Sequence, residues 1–231
     1  MRLTLEADFR GSPALEAEGW PARLLQALAD HDLLDPIDAC GGDDVGFQSV
    51  GDADEIAAWL VDRGHATSEL RGDGGRSGPR VILTVRADWV RLLVHQHVEP
   101  GDRSAAAAVD RQLTGLALDL PAVFGEGVLG RQFGIAATEL GGEGWDPPDD
   151  FDVAWDPDEV VRFVSRAFHD THRLGRPEQA RAMCEDDLPE GVRRESHGDL
   201  TVVRWVDDLS DVDAVRAGLD RQQAWLADHP A

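Results

Sequence analysis

A strand pattern, a short connection and a helix carrying its own start and stop signals recur near residues 45–64, 151–174 and 200–228. The three stretches are too divergent to be a sequence repeat. A chain built from such units nevertheless lays helices on a sheet, which is an α+β arrangement. The best-punctuated stretch is GEGWDPPDDFDVAWDPDEVVRFVSRAFHDTHRL, Gly142 to Leu174. Asp156 suits an N-cap, Pro157 the first helical position, Glu159 the third member of a capping box, and Gly175 a left-handed C-terminal cap behind His172 and Arg173. The spacing predicts a helix from Pro157 to Leu174. Val160, Val161, Val164, Ala167, Phe168 and Thr171 gather on its buried side, with Arg162, Arg166, His169 and Arg173 opposite. In GDADEIAAWLVDRG, Asp52 caps, Glu55 closes the box, Ile56, Trp59 and Leu60 form the buried face, and Gly64 terminates. At the C-terminal end the strand GDLTVVRWV leads to a helix that Ser210 caps, with Asp213 at its third position and Val212, Val215, Leu219 and Leu226 facing the core.

The intervening chain reads less sharply. MRLTLEADF alternates Leu3, Leu5, Ala7 and Phe9 against polar residues, a strand pattern unlike the apolar block of a signal peptide. Pro21 opens a helix with Leu24, Leu25 and Leu28 on one face, ending before Pro36. Asp38 to Asp44 reads as an acidic loop and Val45 to Val50 as a strand. RGDGGRSGPR after Leu70 is a Gly-rich connection whose RGD is a turn. RVILTVRADWVRLLVHQHV breaks at Ala87 and Asp88 into two adjacent strands at the centre of a mainly antiparallel sheet. AAAAVDRQLTGLALDL is a helix that Gly115 weakens and Pro121 stops, and Pro177 to Cys184 is a second short helix. Glycine recurs at 125, 127, 130, 134, 141, 142 and 144. The expected organisation is one α+β domain over 1–231, with 121–152 as the place where it would divide.

Charge narrows the partners. Against 22 basic side chains, all arginine, stand 45 Asp and Glu, for a formal charge of −23. Lysine, asparagine and tyrosine are missing, the mark of a GC-rich genome. Such a surface repels phosphate backbones and anionic membranes and attracts basic proteins, so neither nucleic acid nor membrane is expected as a ligand. No apolar run approaches the ~20 residues that span a bilayer, and a cytoplasmic location is expected. Cys40 and Cys184 are too few for a disulfide framework and lack metal spacing.

Three kinds of site are open to these residues. His95 and His97 leave one face of a strand, and His169 and His172 lie one helical turn apart, spacings that zinc sites use. The arginines around His169 and the lack of HExxH or paired cysteines oppose that reading, so no metal or other cofactor is expected. Hydrolytic elbows, P-loops and dinucleotide fingerprints are missing from the sequence, so a non-enzyme is expected. The alternatives are a metal-dependent enzyme using those histidines, or a structural or regulatory domain of a larger assembly. The remaining constellation is the acidic aromatic stretch. Trp145, Asp146, Asp149, Asp150, Phe151 and Asp152 combine aromatic anchors with carboxylates that steer a basic partner.

WPARLLQALADHDLLDP, the capped DADEIAAWL, the WDPD stretch and HGDLTVVRWVDDLSDVDAVRAGL together resemble bacterial polymorphic-toxin immunity proteins, most nearly the immunity protein 52 type. The resemblance covers about half the chain. It implies a cytoplasmic α+β protein without catalytic activity that binds and neutralises a cognate toxin.

Overall fold

A computed structural model describes residues 3–11, 19–33, 37–42, 45–49, 52–72, 80–86, 90–124, 128–136, 160–165 and 177–229. Among these residues the order is β1 (Leu3–Gly11), α1 (Trp20–Asp30), β2 (Ile37–Gly42), β3 (Val45–Ser49), α2 (Ala53–Arg63), β4 (Thr67–Gly72), β5 (Arg80–Val85) and β6 (Val90–Val98). Then come α3 (Arg103–Phe124), β7 (Val128–Ala136), β8 (Phe163–Ser165), α4 (Pro177–Glu185), β9 (Arg193–His197), β10 (Leu200–Arg204) and α5 (Val212–Asp228). The larger sheet has the order β3-β2-β4-β5-β6-β1-β7 and the smaller one β8-β10-β9. The fold is α+β, and β2 with β3, β2 with β4, β4 with β5, β5 with β6, β8 with β10 and β9 with β10 all pair antiparallel. Among the described residues no helix is long and apolar enough to cross a membrane.

The described chain falls into two compact units, Ala7–His97 with Asp110–Leu129, and Met1–Glu6 with Val98–Val109 and Gly130–Ala231. In the former, alternation decides the sheet. Leu70, Val81, Leu83, Leu92 and Val94 are at most 1% exposed and share one face, with Leu24, Leu28, Ile56, Leu60, Leu113, Leu116 and Leu120 buried on the helices. Trp20 rests on Phe124 at 5.6 Å between ring centroids. Capping follows the local chemistry. Asp52 accepts from the Glu55 amide at 2.9 Å, and Gly64 ends α2 at a φ of 59° that a side chain would strain. Pro121, expected to stop α3, lies inside it instead. The extra turn buries Val123 and Phe124, and Arg23 donates from Nε and Nη2 to the Val123 carbonyl at 3.3 and 3.0 Å, satisfying a terminal acceptor. The stretch expected as an acidic loop from Asp38 forms β2, because Cys40 and Gly41 are buried between neighbouring strands. β7 occupies part of the Gly-rich region expected to be irregular.

The other unit corrects the helix predicted from Pro157 to Leu174. Phe163–Ser165 is a strand, paired Leu200↔Ser165, Thr201↔Val164 and Val202↔Phe163. Val160, Val161, Phe163 and Val164 are all buried, and Arg162, placed on the polar side of the helical wheel, is 1% exposed. A short run that is apolar on both faces fits a buried strand as well as a helix, and β-branched valine prefers the strand. The proposed caps Asp156, Pro157, Glu159 and Gly175 lie outside the described residues. The Val203 amide donates to the Arg162 carbonyl at 2.8 Å, and Gln222, fully buried on α5, accepts from the Val161 amide at 2.7 Å. The cap of α5 is Asp211, accepting from the Asp213 and Ala214 amides, both at 3.0 Å. Ser210 does not cap, because its hydroxyl donates to Asp208 at 2.6 Å. β9 is exposed along its whole length and carries charge, which suits an edge strand that must not recruit another chain.

Gly218 is where α5 touches the strand end. A Cβ there would lie 2.2 Å from Val206 Cγ2 and 3.1 Å from the Trp205 carbonyl oxygen. Gly218→Ala should therefore destabilise by about 1–3 kcal/mol, against the ~1 kcal/mol that alanine normally gains over glycine in a helix. Chemical denaturation of the two proteins checks this. A variant as stable as the parent would contradict the close packing.

Candidate functional site

The three central strands of the larger sheet place polar side chains in register on the face opposite the core. Arg71 pairs with Arg80 and Arg80 with His95, Glu69 with Ile82 and Ile82 with Leu93, and Thr67 with Thr84 and Thr84 with Arg91. His97, two residues beyond His95 on the same strand, leaves the same face. Glu69 Oε1 accepts from Arg71 Nε at 2.7 Å and from Arg80 Nε at 2.6 Å. Burial raises the Glu69 pKa, but the bonds and charges of Arg71 and Arg80 outweigh it and hold the carboxyl below its ordinary value. The Thr67 and Thr84 hydroxyls meet at 3.3 Å.

Burial changes along this face. At one end Thr84, Arg91 and Leu93 are 4%, 8% and 1% exposed. At the other, the Arg71 and Arg80 side chains retain 27% and 41% of their accessible surface. His95 sits between, its pKa lowered to about 4 first by burial and then by Arg80, His97 and Arg91, against an upward pull from Glu69. It is therefore neutral at pH 7, offering one N–H donor and one acceptor.

The histidine constellation is thus only half visible. His95 and His97 share a face, whereas His169 and His172 lie outside the described residues. Among the described residues no group of three or more His, Cys, Asp or Glu is arranged to hold a metal ion. Arg80 and Arg91 would also repel a divalent cation at His95. Cys184, Ser196, Asp199 and Thr201, the residue types a nucleophilic site needs, line a hollow of about 160 Å³ with Gly198.

Trp145, Asp146, Asp149, Asp150, Phe151 and Asp152, expected to bind a partner, lie outside the described residues. A second acidic surface is described on α2. Asp52, Asp54, Glu55 and Asp62 are exposed there, around Val61 at 63% exposure. Trp59 is half-buried beside them, with the Arg63 guanidinium 5.6 Å from its ring centroid. The helix and its buried Ile56 and Leu60 were legible in the sequence, whereas the 63% exposure of Val61 is set by the tertiary structure. Glu69, Arg71 and Arg80 went unnoticed in the sequence because Arg71 and Gly72 look like the start of a Gly-rich turn. Their one signal is the alternation in TSELRG. No protein-family model, no curated protein and no solved structure matches this chain.

Proposed function

We propose that this protein is a non-enzymatic acidic binding module that engages a basic protein partner, in the way an immunity protein blocks a cognate basic toxin domain. The observation that carries the reading is the formal charge of −23, displayed on exposed carboxylates such as those of α2 around Val61. Carboxylates of this kind accelerate encounter with a Lys- and Arg-rich surface, and desolvated apolar side chains slow dissociation. The stretch from Trp145 to Asp152 belongs to the same reading as a further contact, and the encounter is placed in the cytoplasm.

A basic protein captured from the native host at low salt, or the toxin encoded beside this gene, supplies the partner for kinetic measurement. Its association rate constant should fall at least about tenfold from ~0.02 to ~0.5 M salt while the dissociation rate changes little. Asp54→Asn with Asp62→Asn should slow association, and Val61→Ala should speed dissociation. Retrieval of no basic protein, or rates indifferent to salt, would refute the reading.

A further inference from the structure

We draw no further inference here: the strongest candidate, the hollow between the end of α4 and the β9–β10 hairpin lined by Cys184, Ser196, Gly198, Asp199 and Thr201, carries nothing, because Cys184 and Asp199 already interact with other residues and nothing in the structure shows what would occupy it.

Discussion

Replacing Trp205 with alanine should lower the unfolding free energy by about 3–5 kcal/mol, the range for deleting a large buried aromatic side chain. Among the described residues Trp205 is the largest fully buried side chain, 1% exposed. It follows β10 directly and meets the Trp225 ring edge-on at 5.9 Å between centroids. Trp225 in turn stacks on His229 at 3.9 Å, so the deletion would undermine the packing of α5 through its C-terminal turn. Gly218 lies against the Trp205 carbonyl and Val206, so α5 sits close to the chain at this point. Trp205→Phe should cost much less, roughly 1 kcal/mol. It keeps an aromatic partner for Trp225 and deletes an indole N–H that has no acceptor among the described residues. Urea denaturation followed by far-ultraviolet circular dichroism checks both. An alanine variant within ~1 kcal/mol of the parent would show that this core is not the one described.

Acid should destabilise the protein through His95 before most carboxylates titrate. Its pKa is lowered from 6.5 to about 4 in the fold, so the unfolded chain takes up this proton first as the pH falls. The folded state keeps its full advantage above pH 6.5, loses it progressively from 6.5 to 4, and loses no more from this group below 4. The total is about 3 kcal/mol. Glu69 acts lower, since its carboxyl is held below its ordinary value of 4.5 and its contribution is lost only as the pH falls through that depressed pKa. Comparing the parent with His95→Gln at pH 7 and pH 4.5 cancels the carboxylates common to both. The stability difference between the two pH values should be smaller in the variant by about 2 kcal/mol. Equal pH dependence would mean that His95 titrates normally.

What could be read in advance was whatever short-range chemistry decides. Asp52 caps α2 because its carboxylate needs only an amide three residues ahead, and Leu5, Ala7 and Phe9 are buried because alternation alone sorts the faces of a strand. The two adjacent strands expected in RVILTVRADWVRLLVHQHV are likewise β5, ending at Val85, and β6, starting at Val90. The helix expected over Pro157–Leu174 failed at Val160–Val164 for a long-range reason. A valine-rich run offers a buried strand and a buried helix equally well, and pairing with β10 made the choice. Ser210 was expected to cap α5, but its hydroxyl is bound to Asp208 and Asp211 caps the helix instead.

The site shows the same division. Composition alone made the chain strongly acidic and directed attention to basic partners, since net charge is a sum that needs no fold. The arginine and histidine row could not be found that way. Arg71, Arg80 and His95 lie on three strands separated by turns, and they become neighbours only through the register of two strand pairs. A slip of one residue in either pair would turn one member of the row toward the core. Local propensity and charge were therefore properties of the sequence, while which charges stand together was settled by strand pairing across the sheet.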